Sequence, residues 1–241
     1  MSADTVTKSR REATRLPGLL WLLSGVAGGF GLSYVRSNII VPEDAAATAA
    51  NIAASELLYR AAIVSSLFSD VLLFFLGLTL FRLFKEVNRR LATMLLASVM
   101  MSIGIAAVNM LNHFGALLVL SRADVLRAFT PEQLNAAALV FLRLANGPGQ
   151  GLLEIFWAPY YFSFGLLVIK SRTLPKTLGV LLMVMGVGFA VNVFEKFLLP
   201  QFYPVEFTRS AMALGALGGL PTIFWLLVKG VEVKPLGDQA L

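Results

Sequence analysis

Residues Leu57–Phe84 read LLYRAAIVSSLFSDVLLFFLGLTLFRLF, a run in which only Arg60, Asp70 and Arg82 carry charge. A bilayer core of about 30 Å is crossed by about 20 apolar residues in a helix, so this run is long enough to span one. It is apolar on every side and lacks the polar–apolar alternation of a barrel strand. The stretch therefore reads as a membrane-spanning helix with a carboxylate near its middle.

The same test applied outward finds five more runs, at Leu16–Val35, Leu91–Asn112, Gly151–Ile169, Leu178–Leu199 and Ala211–Val228. Composition agrees with this reading. Of 241 residues, 57% are hydrophobic and 14% charged, with a mean hydropathy of +0.77, whereas a soluble domain is about a quarter charged. So few ionisable groups cannot cover a water-facing surface, which excludes an ordinary soluble enzyme and a disordered chain. The absence of cysteine excludes a disulfide-stapled secreted scaffold and thiol chemistry. The expected fold is all-α: a polytopic six-helix transmembrane bundle at 16–230, with a short segment at 1–15 and a tail at 231–241.

Charge placement orients the bundle. Lys8, Arg10, Arg11 and Arg15 precede the first run; Arg82, Lys85, Arg89 and Arg90 join the second to the third. Lys170, Arg172 and Lys176 join the fourth to the fifth, and Lys229 and Lys234 follow the sixth. These are 13 of the 20 basic residues, and the two faces carry +8 and −2 within the overall +6. Both termini are expected on the cytoplasmic side. The pI of about 9.8 is then a topology signal that also meets anionic lipid headgroups. No basic face with interleaved aromatics suggests nucleic acid. The first run is too long for a signal-peptide core, and Ser33-Tyr34-Val35-Arg36 offers no small-x-small cleavage site.

Two outer connections carry helix signals. After Pro42 and Glu43, Asp44 is a good N-cap for the alanine-rich 45–54. Thr130-Pro131-Glu132-Gln133 is a capping-box pattern, followed by Leu134, Ala138, Phe141 and Ala145 on one helical face. Asn146-Gly147-Pro148-Gly149 is expected to end that helix and open the fourth span. Extra outer-face helices are thus expected between spans one and two and between spans three and four. The pairs Gly25/Gly29, Gly147/Gly151 and Gly215/Gly219 are expected to mark close helix contacts, within one chain or between chains.

Polar groups gather at one depth. At 1.5 Å per residue, Asp70 lies about 18 Å above Arg82, while Glu154 lies about 24 Å from Lys170 and Asn192 about 24 Å from Lys176. Asn109, Asn112, His113 and Glu195 fall at similar or greater heights. Either these are hydrated helix-end groups, with Glu195 and Lys196 snorkelling, or they line an outward-facing polar cavity with Asp70 at its floor. Ionisable groups inside a bilayer usually face the bundle interior, and Ser65, Ser66 and Ser69 flank Asp70. The candidate ligand-binding set is therefore Asp70, Asn109, Asn112, His113, Glu154, Asn192 and Glu195, for a small or lipidic ligand.

Catalytic patterns are sparse. One histidine cannot form a multi-histidine zinc site, and neither H-E-x-x-H nor G-x-S-x-G occurs. No metal and no cofactor are called for. A transporter-like or sensor module is the leading class, with an enzyme or enzyme accessory using Asp70, Glu154 and His113, or a partner subunit, as alternatives. The expected partners are membrane lipids and the ligand.

Four stretches carry a resemblance: Val41 to Ile52 (VPEDAAATAANI), Leu174 to Leu182 (LPKTLGVLL), Leu80 to Asn88 (LFRLFKEVN) and Leu226 to Val231 (LLVKGV). Together they resemble a bacterial membrane family known as domain of unknown function 4386. The resemblance implies a multi-pass protein of the bacterial inner membrane and adds no mechanism. Members often carry a histidine where this chain has Trp157-Ala158-Pro159-Tyr160, so no role for that histidine carries over.

Overall fold

The computed structural model describes residues 3–121, 123–199 and 218–231. Among them every regular element is helical, and no strand occurs. Helix α1 (Ala3–Gly28) passes through a π-helical turn at Gly29–Tyr34 into α2 (Val35–Ile39). Then follow α3 (Ala45–Ala54), α4 (Glu56–Phe84), α5 (Arg89–Leu120), α6 (Pro131–Leu144), α7 (Gln150–Ser171) and α8 (Lys176–Leu198), with α9 at Gly218–Val228.

Four helices among the described residues are long and apolar enough to cross a membrane: Glu56–Phe84, Arg89–Leu120, Pro131–Ser171 and Lys176–Leu198. They contain the second to fifth expected spans. The first falls within α1 to α2. Part of the sixth, 211–217, lies outside the described residues, as does Gly215 of the last glycine pair.

The sequence 146–149 does not end a helix. Residues 131–171 form one 41-residue helix, in which Ala145–Gly149 is a π-helical turn. Pro148 has no N–H to continue the α-helical ladder. The ladder instead widens by one residue, and the Gln150 N–H reaches back to the Ala145 carbonyl. At 1.5 Å per residue this helix is about 60 Å long, twice a bilayer core of about 30 Å.

The chain divides into two compact units. One holds residues 1–23, 72–102 and 154–241. Here α7 and α8 form an antiparallel pair with a small-residue seam. A Cβ on Gly179 would sit 2.7 Å from the Gly165 carbonyl oxygen, and one on Gly186 would sit 2.8 Å from the Ala158 carbonyl oxygen. Both pairs, 158/165 and 179/186, are seven residues apart, about two turns along each helix. Beside the seam, Trp21 packs on Phe164, Trp157 stacks on Tyr161, and Tyr161 stacks on Phe189 at 5.6 Å. Gly18 meets the backbone and Cβ of Leu226, and Arg15 donates to the Val228 carbonyl.

The other unit holds 24–71 and 103–153, around a core that includes Ile39, Ile52, Tyr59, Ile63, Met110, Leu117, Ala138 and Leu142. Helix α3 packs on α6. Asp44 caps α3 by accepting from the Ala47 N–H, and Thr130 and Gln133 form the full capping box of α6. The link between α2 and α3 is fastened by side chains. Thr48 bonds both the N–H and the carbonyl of Val41, Asn51 donates to the Ile39 carbonyl, and Arg143 donates to the Pro42 carbonyl at 2.7 Å.

Within the chain, four of the six paired glycines make no close approach to the described residues. A Cβ on Gly25, Gly29, Gly147 or Gly219 would meet nothing within 4 Å. The close approaches use Gly31, where a Cβ would overlap Ser66 Oγ and lie 2.5 Å from the Ala62 carbonyl oxygen, and the α7–α8 seam. Spacing by four shows that glycines share a face; it does not show which face meets a neighbour.

Candidate functional site

The candidate residues fall into three local settings. In the first, α7 presents Glu154 and α8 presents Asn192 and Lys196. The Asn192 amide donates to Glu154 Oε2 at 2.7 Å, and Lys196 Nζ lies 2.8 Å from the same oxygen. The Lys196 and Glu154 side chains are only 12% and 7% exposed. Lys196 therefore does not snorkel to water; it turns inward and neutralises the carboxylate. Glu195, one residue before it, is buried as well. Glu154 is held in a satisfied ion pair rather than presented as an open ligand.

The second setting is the polar lining of the π-helical turn. Asn109 on α5 donates to the Ala145 carbonyl at 3.0 Å and accepts from the Asn112 amide at 3.0 Å. That carbonyl also receives the Gln150 N–H. Gly149 leaves the space this requires, since a Cβ there would overlap Asn109 Oδ1. One turn further along α5, His113 is buried, and its Nδ1 lies 2.8 Å from the Tyr59 hydroxyl of α4. A buried tyrosine hydroxyl needs such a partner. Tyr59 lay outside the sequence reading. Its signal was a tyrosine at the apolar outer end of a span, in a chain with one histidine.

The third setting is Asp70. Around α4 the buried residues Tyr59, Ala62, Ile63, Ser66, Ser69, Leu76 and Leu80 form one arc. At 100° per residue Asp70 falls inside that arc, while the exposed Val64, Phe68, Val71 and Phe75 lie on the opposite side. Asp70 thus lies at the edge of the buried face, one turn before the exposed Phe74, and is half-buried. The flanking serines do not bond it. Ser65 donates to the Ala27 carbonyl, Ser66 to the Ala62 carbonyl and Ser69 to the Ser24 carbonyl, each at 2.9 Å. Among the described residues Asp70 has no hydrogen-bond or ion-pair partner.

Other ion pairs at these helix ends are local. Arg60 pairs with Glu56 and Arg127 with Asp124, all well exposed. Among the described residues no three His, Asp or Glu side chains are grouped to hold a metal.

No curated protein and no solved structure matches the chain. Residues 16–230 match the profile of the family described as Domain of unknown function (DUF4386). The match runs from the first apolar stretch to the end of α9, and the chain belongs to the DUF4386 family.

Proposed function

We propose that the chain is a six-span protein of the bacterial inner membrane that binds a small or lipidic ligand through Asp70. Both termini lie on the cytoplasmic side, and α3 and α6 lie on the outer side. Four apolar helices support the membrane setting, as does the concentration of basic residues in alternate connections. The two further spans are the runs at 16–35 and 211–228.

One observation carries the binding reading: Asp70 is half-buried in an apolar helix and has no partner among the described residues. A charged group at the centre of a span costs about 2.5–3.5 kcal/mol on insertion scales. A ligand that binds the side chain would offset that cost.

The test is mass spectrometry of molecules that remain bound when the full-length protein is extracted from native membranes into nanodiscs. The wild type retains a species that Asp70→Asn loses, while both unfold at similar temperatures. Identical bound species in the two proteins overturn the reading. Topology has its own test, because the chain has no native cysteine. Ala49→Cys reacts with an impermeant maleimide from outside the cytoplasmic membrane, whereas Arg89→Cys reacts only after permeabilisation. The reverse pattern overturns the orientation.

A further inference from the structure

We infer that Asp70 receives the ammonium group of an organic cation whose remaining part is apolar. This rests on the binding reading above and names the ligand's chemistry.

The inference comes from the contrast between two carboxylates in apolar helices. Glu154 has its positive charge built in, with Lys196 Nζ at 2.8 Å and the Asn192 amide beside it. Asp70 has neither. The described arginines and lysines that reach a partner reach other ones: Arg60 holds Glu56, Arg127 holds Asp124, Arg143 holds the Pro42 carbonyl and Arg15 the Val228 carbonyl. None of the described basic side chains is bonded to Asp70, and a ligand's ammonium group would supply that charge.

The surroundings select the kind of cation. A hard metal ion needs about six or more oxygen ligands. Here there is one carboxylate, and the three nearby serine hydroxyls are directed onto backbone carbonyls. An ammonium group needs less, because one charge-assisted contact to a carboxylate anchors it. Leu67, one turn back along α4, is only partly buried against the apolar cluster around Ile63 and offers the nearby apolar surface for an alkyl stem. An amine at this position reproduces what Lys196 supplies to Glu154.

The test uses the full-length protein in phosphatidylglycerol nanodiscs, titrated with hexylammonium and with hexanol as the neutral control. Wild type binds hexylammonium roughly 10-fold more tightly than Asp70→Asn, hexanol does not distinguish them, and Asp70→Glu keeps the preference. Exchanging half the lipid for phosphatidylethanolamine identifies the source of the amine. Competition with hexylammonium assigns a lipid headgroup, and unchanged binding assigns a soluble amine. Equal hexylammonium binding by wild type and Asp70→Asn, or none by either, overturns the inference. If the species that Asp70→Asn loses from native membranes is neutral or anionic, the ammonium assignment falls and the binding reading stands. If no species is lost, both fall.

Discussion

Gly179 of α8 lies directly against Gly165 of α7, so close that a Cβ on Gly179 would be 2.7 Å from both the Gly165 carbonyl oxygen and Ile169 Cγ1. Neither obstacle can yield easily, since one is backbone and the other a β-branched side chain. Gly179→Ala is expected to cost about 1–3 kcal/mol, as overpacking does elsewhere. Gly25→Ala provides the contrast, because its added methyl meets nothing within 4 Å. That substitution is expected to leave stability unchanged or raise it by up to about 1 kcal/mol through helix propensity. Thermal unfolding of both variants in the same nanodiscs checks the pair.

The Glu154–Lys196 pair calls for a double-mutant cycle. Lys196→Met leaves a buried carboxylate uncompensated and is expected to cost about 3–5 kcal/mol. Adding Glu154→Gln removes the stranded charge, and most of that loss is recovered. Additive losses in the double variant would show that the two side chains are not coupled.

At the π-helical turn, Asn109→Ala leaves the Asn112 amide without its acceptor and removes one of two donors to the Ala145 carbonyl. The expected cost is about 1–3 kcal/mol. Hydrogen exchange should accelerate at residues 145–150 before it does along α6. A uniform change along the whole of 131–171 would refute a local role for Asn109.

Arg172 ends α7 with φ of 54°, in the left-handed region that glycine occupies without strain. Arg172→Gly is expected to stabilise by about 0.5–1 kcal/mol, the left-handed penalty less glycine's greater freedom when unfolded. Arg172→Ala, which keeps the Cβ, should not gain. Equal melting temperatures for the Gly and Ala variants would exclude relief of strain.

The parts legible in the sequence were those governed by local chemistry. Asp44 and Thr130 cap the helices they precede, because capping depends on residues three positions apart. Counting residues from the basic helix ends placed Glu154 and Asn192 at equal depth, and the structure joins them by a hydrogen bond. What depended on how helices face each other was harder to read. Gly179 and Gly186 are seven apart and meet α7, whereas Gly25 and Gly29 are four apart and a Cβ on either would meet none of the described residues within 4 Å. The glycine and proline at 147 and 148 resemble a helix stop. Asn109, distant in sequence, supplies the hydrogen bond that accompanies the widened turn. Lys196 was readable as a snorkelling residue only until Glu154 was known to lie 2.8 Å away.

The link between α7 and α8 is four residues long, 172–175, so Glu154 and Lys196 sit on consecutive helices of one hairpin. In chain order the carboxylate of α7 comes first, before its counter-charge. The matching ammonium follows 42 positions later. The pair thus works as a clasp within one hairpin: the charge that each helix buries is neutralised by its immediate neighbour in sequence.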